Sequence, residues 1–591
     1  MVKTVSAQAA AAHEISQAKR SRLSVLLDAF EQSFQRKPAE LETRQACNFA
    51  LATLILGRPI SVTQKYMQSV FAAQNLDETS PDYGRINWLL GSDRVNDVNA
   101  MEFNAMHYAA IMALGEHKFD PAFKAELIKS ARGLVAALSR RQFKTPAYTN
   151  IYLKNTLSLL TIGLAINDEN AVSLGRSRLK DWIDFTREYG ITEFNSPTYI
   201  GVSLDVLQTG FRYTRGADRE QIRQILDYFW TEAAANHMGD GLSGPFSRSY
   251  DFTSARARID GYYANVGLPF ADPNFFGNPG SNIYIVLNDL PGGYVPPQSI
   301  LRWASTPTRV VEARWGSERW QTRINELTTA YAIGSVGGGA VGPQDRLFNV
   351  SFAKFNTRNL LVIPDATGAP YGNAKVVQRD GHVKAVHIPV NLAAAQRDGT
   401  VLLTYDFRPG REKPQLMQFA TNVLFPMTAD MVTLNGKEIQ STSRTTNATA
   451  NPTLAIRVGS ACVVTRVLAA EGIIGPVEVF TDHEGLSLGV SRMVLSHNPM
   501  AAKIRVAILV ATSVCADDDA LARLTNETMA AKATVQLGAD RWHAEVKTAG
   551  HIYRVERDQG KPGIVSRKID GVEIDRPAAL SINGKPISLL Q

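Results

Sequence analysis

The sequence predicts an α+β multidomain chain, with an N-terminal incomplete (α/α) toroid followed by a C-terminal antiparallel β-sandwich. Three observations lead there. Apolar residues recur at helical spacing from about residue 13 to 263, and β-rich runs without intervening helices take over from about residue 309. Between them lies a stretch rich in proline, glycine and aromatic residues. The expected units are residues 1–265 for the toroid, 266–308 for an ordered connection and 309–591 for the β-sandwich, a division that suits 591 residues.

In the helical half, Leu23, Leu26, Leu27 and Phe30 share one face, and the same spacing returns at Leu157, Leu160, Ile162 and Leu164. Helices are expected near 44–56, 101–113, 121–141, 171–188, 198–209 and 220–236, joined by the short polar breaks of antiparallel neighbours. Six prolines and five glycines then fall between 264 and 298, amid Phe270, Phe275, Phe276, Tyr284 and Tyr294. A flexible linker would be rich in serine and poor in aromatics, so this connection is expected to be ordered. Beyond it, strands are expected at 310–315, 360–363, 400–407, 504–510 and 552–556, with one helix near 517–531. Asn435-Gly436 and Asn583-Gly584 mark tight hairpin turns.

Hydrophobic residues make up 45% and charged residues 20%, which excludes wholesale disorder and allows a large core. Lys and Arg number 63 against 56 Asp and Glu, a net +7 that suits an acidic partner. Without a clustered basic stripe, no nucleic-acid partner is expected. No apolar run reaches the roughly 18 residues of a membrane span, so no membrane partner is expected either. The first 14 residues, with one Lys and an alanine cluster interrupted by Gln8, do not read as a signal peptide. The expected location is extracellular where a signal peptide has been removed, and cytoplasmic otherwise. Cys47, Cys462 and Cys515 are far apart and are expected as small core residues, neither a zinc site nor a disulfide framework.

Four segments concentrate polar chemistry where helices meet loops. In the first, residues 102–108, Asn104 and His107 lie three apart on one helix face, placing an amide and an imidazole on one cleft or inside a helix pair. In the second, residues 148–155, Thr149 or Asn150 caps a helix, or Asn150 and Tyr152 line a cavity at the inner helix ends. The third gathers Glu193, Asn195 and Tyr199 around a helix start that Ser196 and Pro197 already explain. The fourth, residues 244–251, presents Arg248, Tyr250 and Asp251 behind a glycine-rich turn, either to a ligand or as a surface ion pair.

Those segments, with the Asn195-Ser196-Pro197-Thr198-Tyr199 and Gly244–Tyr250 runs and then Tyr331-Ala332-Ile333-Gly334-Ser335 in the β-rich half, resemble the heparinase II/III-like and alginate-lyase-like polysaccharide lyases. That family pairs an incomplete (α/α) toroid with antiparallel sheets. The resemblance spans most of the chain in architecture, while its motifs cover only these short runs. The sequence departs from the family in two places. A contiguous Asn-His pair is common there, whereas Asn104 and His107 are separated, and the metal-binding histidines of some members have no clear counterpart among His382, His387 and His483. The resemblance implies an acidic poly- or oligosaccharide substrate and no required cofactor, with a structural divalent metal left open.

Cleaving a 4-linked uronide by β-elimination removes the weakly acidic proton at C5. The adjacent carboxylate must be neutralised and the enolate-like charge stabilised. The expected carboxylate neutralisers are Asn150 and Asn195, and the expected proton-transfer residues are Tyr250 and Tyr199, with His107 as an alternative base. A phenol ionises near pH 10 unless a cation assists it, so Tyr250, two residues from Arg248, ranks first. Asn104, Tyr152, Glu193 and Arg248 complete the expected substrate-binding set. Two other readings stay open. One is a glycoside hydrolase using Glu102 and Glu193 at about 5.5 Å or about 6.5–9.5 Å separation; the other is a non-catalytic carbohydrate-binding protein.

Overall fold

The computed structural model describes the chain apart from residues 1, 94, 96, 250–258, 271–278, 343, 355–356, 366–372, 378–382, 387–389, 408–418, 440–444, 448–450, 472–476, 483–487, 497–503, 539–540, 559–564, 575–576 and 590–591. Its helices start and stop where local chemistry dictates. The helix Pro121–Arg140 carries proline at its first position, and Asp120 accepts the Phe123 N–H at 2.8 Å. Thr43–Leu56 ends at Gly57, which takes φ +69. The single helix expected over 101–113 is two, Ala100–Ala105 and Tyr108–Gly115. At the break the His107 N–H bonds the Asn104 carbonyl, three residues back, at 3.2 Å, the tighter pattern that ends an α-helical turn.

Consecutive helices pack as antiparallel neighbours, Thr43–Leu56 on Ile60–Ala72, Thr149–Ile166 on Glu169–Tyr189, and Tyr199–Tyr213 on Gly216–Ala235. Pro279–Asp289 packs on Tyr199–Tyr213 and also on Val2–Arg36 and Thr43–Leu56, so the path of neighbours returns to its beginning as a ring of helices does. One core runs through this half, with Trp182, Trp230, Tyr66 and Tyr108 fully buried. The stretch 266–308 is more than a connection. It contains Pro279–Asp289, Gln298–Leu301 and a 3₁₀ turn, and Ile283, Ile285 and Leu287 pack into the helical core.

The β half is layered. An eleven-stranded and an eight-stranded sheet, both antiparallel, share a core to which Ile333, Phe348 and Val350 contribute from one side and Leu392, Val401, Leu403 and Ile508 from the other. The other face of the eight-stranded sheet, with Ala393, Ala395, Leu402 and Leu509, packs on a five-stranded sheet through Trp542, Val546 and Val555. Among the described residues the β half thus has three layers. The middle sheet is covered on both faces, which explains the unbroken apolar run 506–511 within its strand Arg505–Val514. Asn435-Gly436 and Asn583-Gly584 are hairpin turns with positive φ at both residues. The helix expected near 517–531 spans Asp518–Ala530.

The cysteine expectation needs correction. Cys462 and Cys515 form a buried disulfide with 5.8 Å between their Cα atoms, while Cys47 is a buried free thiol. Strands Ala461–Ala470 and Arg505–Val514 are neighbours that pair Cys462 with Ser513, which delivers Cys515 beside Cys462 across a separation of 53 residues. Spacing alone hides such a pair, because strand pairing creates the proximity.

Candidate functional site

Three elements converge where the helical ring meets the β layers. Thr149–Ile166 begins without a side-chain cap of its own. Its first-turn N–H, which has no partner within the helix, is satisfied from a distance: Glu193 accepts the Asn150 backbone N–H at 2.7 Å and the Asn150 amide at 2.8 Å on each carboxylate oxygen. Glu193 therefore supplies the cap that Thr149 or Asn150 was expected to provide. Next to it, Tyr199 opens Tyr199–Tyr213, with its N–H on the Ser196 hydroxyl at 3.1 Å.

The third element is the loop through Ser243–Ser249. Its Arg248 side chain reaches both others, donating to Glu193 at 2.6 Å and to the Tyr199 hydroxyl at 2.8 Å. The guanidinium stands 4.2 Å from the Tyr199 ring centroid and 5.4 Å from that of Tyr148. Tyr148, 36% exposed, is the aromatic that sequence reasoning left without a role. A planar cation, held by a carboxylate and set beside a phenol, stabilises negative charge on the phenol oxygen and can also receive a ligand carboxylate.

The loop is clamped from both halves. Asn195 donates through its side chain to the Ser243 and Pro245 carbonyls at 2.7 and 3.1 Å, and its backbone N–H meets Glu232 at 3.2 Å. Glu232 in turn pairs with Arg323 of the strand Thr322–Leu327. Asn349 donates to the Gly244 carbonyl at 3.0 Å. Gly244 takes φ +93, and a Cβ on Gly334 would lie 2.8 Å from its Cα, so the loop runs directly over the strand Tyr331–Val336. Asn195 and Arg248 both adopt left-handed backbone, φ +45 and φ +48, a conformation that costs roughly 1–3 kcal/mol each and that packing must hold.

The structure thus joins Asn150, Glu193, Asn195, Tyr199 and Arg248, from three separate stretches of sequence. It assigns some of them different work. Both Asn195 amide hydrogens are spent on loop carbonyls, so this side chain staples the loop rather than neutralising a ligand carboxylate. The Asn150 amide is likewise spent on Glu193.

Other expected residues lie elsewhere. His107 is 1% exposed with both ring nitrogens engaged, Nε2 lying 2.5 Å from Asn48 Oδ1 and Nδ1 3.0 Å from the Asn104 carbonyl. Burial pushes its pKa down to about 3 and keeps the ring neutral. Asn104 is fully buried, hydrogen-bonded to Thr43 and Cys47 as well as Ala100. This pair belongs to the helical core. Tyr152 packs edge-on against Phe143 at 4.9 Å, and burial raises its hydroxyl to about 12. Tyr250 lies outside the described residues, as do Asp251, His382, His387 and His483. Among the described residues, no group of three or more His, Cys, Asp or Glu side chains is placed to hold a metal ion, and no helix is long and apolar enough to cross a membrane.

A family described as a domain of unknown function (DUF8769) matches residues 33–259, a span that includes every described member of the cluster. No curated protein matches the chain. Solved structures similar to it include the chondroitin AC lyase of Streptomyces coelicolor A3 in complex with chondroitin sulphate, at 11% identity and a TM-score of 0.43 over 91% of this chain and 88% of that one. A Paenibacillus xanthan lyase matches at 9% identity and a TM-score of 0.46, over 91% of this chain and 65% of the other. Heparinase III matches at 9% and 0.41, over 86% and 82%.

Proposed function

We propose that the chain is a polysaccharide lyase that cleaves a uronic-acid-containing glycan by β-elimination at the Arg248 site. The observation that carries this reading is Arg248 held between Glu193 and the Tyr199 hydroxyl. In the proposed reaction the Tyr199 phenolate takes the C5 proton, the electron pair forms the C4–C5 double bond, and the C4–O bond breaks. The departing oxygen then recovers the proton from Tyr199. Arg248 balances the substrate carboxylate and the charge that spreads onto it, and Glu193 with Asn150 fixes Arg248 in place. Tyr148, partly exposed beside Arg248, is the aromatic side chain proposed to pack against a sugar. Tyr250 remains the competing proton-transfer residue.

The hydrolase alternative loses ground on Glu102, whose side chain is fully buried, 3.2 Å from the Asn155 amide and 3.9 Å from Arg141. Hydrolysis with this pair needs both carboxyls against one sugar. A screen against uronic-acid polysaccharides, read by the ultraviolet absorbance of the unsaturated product, tests the proposal. New reducing ends without that absorbance would indicate hydrolysis, and no new ends on any of them would leave a binding protein.

A further inference from the structure

We propose that Asp345, contributed by the β half, is a positioning residue that holds Arg248 against Tyr199 and Glu193. The consequence for turnover rests on the elimination reading, whereas the anchoring itself does not. Arg248 is a non-glycine residue at φ +48, a conformation that persists only where its surroundings impose it. Asp345 imposes it directly. One carboxylate oxygen accepts the Arg248 backbone N–H at 2.8 Å and the other accepts the Gly342 N–H at 3.0 Å, so a single side chain ties the loop to its own turn.

The bonds around it leave residue 248 little other choice. Phe246 and Arg346 exchange backbone hydrogen bonds of 2.7 Å in both directions, and the Ser249 N–H meets the Gln344 carbonyl at 2.8 Å. The flanks are zipped to the β half, and the amide between them points at Asp345. The two donors must be met by two acceptor oxygens, which an ionised carboxylate provides and an amide does not. Burial raises the Asp345 carboxyl, and the Arg248 and Gly342 N–H groups work against that rise. The backbone of Arg248 is thus set by the β half and its guanidinium by the helical ring.

The test uses the full chain with Asp345→Asn, and with Asp345→Ala as a second variant. Asn preserves shape but turns an N–H toward one of the two donors; should Ala fail to fold, Asn decides alone. The readouts are backbone hydrogen exchange in peptides covering 244–249, the melting temperature, and the pH profile of turnover. The expected result is exchange in that segment at least about tenfold faster, with a near-unchanged melting temperature and exchange elsewhere as in the wild type. Turnover should fall by about tenfold or more, with its acid limb moved to higher pH. The shift follows because Tyr199 loses the fixed cation at its hydroxyl while Glu193, the carboxylate behind that cation, stays. Unchanged exchange overturns the proposal, and so does faster exchange with an unaltered rate and pH profile. If the wild type eliminates no uronide, the functional reading fails, yet the exchange of 244–249 still decides whether Asp345 anchors Arg248.

Discussion

Arg248 meets two sets of demands at once, because its charge is wanted beside Tyr199 while its backbone sits where only glycine is comfortable. Removing its carboxylate partner separates those demands. Glu193→Gln should cost about 1–3 kcal/mol of stability, measured by denaturant unfolding, because a charge-assisted bond and a helix cap are weakened together. The same substitution should lower turnover by freeing the guanidinium. A second expectation concerns Glu102, which lies in the helical core. Burial raises its carboxyl from 4.5 to about 7, so the folded state holds a proton that the unfolded chain releases. Its contribution to stability is full below about pH 4.5 and is lost as pH rises through about 7. Melting temperatures of Glu102→Gln should therefore fall less than those of the wild type across that window; an identical slope would remove Glu102 as the cause. His107 acts in the opposite sense, because its lowered pKa contributes stability that is lost as pH falls below its unfolded value near 6.5. At this scale the sequence was half legible. Asn150, Glu193, Tyr199 and Arg248 stood out as polar residues at helix starts and glycine turns, but which amide faces a ligand and which faces a carbonyl is settled by contacts such as Asn195 with Ser243, 48 residues away.

Elements explain the remainder of that gap. Periodicity located several elements closely, since 121–141 is the helix Pro121–Arg140 and 400–407 the strand Thr400–Phe407, although it passed over the helix Ile60–Ala72. It misjudged 101–113, where the helix is interrupted as the His107 N–H turns to the Asn104 carbonyl, while the stretch expected as an ordered connection holds a helix, Pro279–Asp289, that packs on the core. Asp345 and Tyr148 escaped notice for a related reason. Nothing in their own segments distinguishes an acid in a turn or a tyrosine before a helix until the partner element arrives. The disulfide is likewise a product of strand pairing, and it yields a prediction. Closing a loop of 53 residues is worth roughly 4 kcal/mol in the chain-entropy picture, so Cys462→Ser or reduction should lower the melting temperature substantially. A thiol titration of the native oxidised chain should find no more than one free thiol after denaturation, that of Cys47; three would contradict the pairing.

At the scale of the molecule, the fold class was legible from the change of period alone, helical before about 265 and β-rich after about 309. The third sheet was not, because an unbroken apolar run shows that a strand is covered on both faces without naming what covers it. The layered β half is also what makes the site possible. Strands from Thr322–Leu327 to Phe348–Phe352 form a rigid floor under the Ser243–Ser249 loop, and the helical ring brings the starts of Thr149–Ile166 and Tyr199–Tyr213 to meet it. The helical half supplies the site's own groups, and the β half supplies Asp345, Asn349 and Arg323, which hold the loop in place. The most direct test is the initial rate of ultraviolet absorbance increase on a uronic-acid polysaccharide that the wild type degrades, compared with Tyr199→Phe and Tyr250→Phe. The account predicts an absorbing unsaturated product from the wild type and a rate at least about 100-fold lower for Tyr199→Phe at an unchanged melting temperature, with a smaller loss for Tyr250→Phe. A near-normal rate in Tyr199→Phe would contradict it.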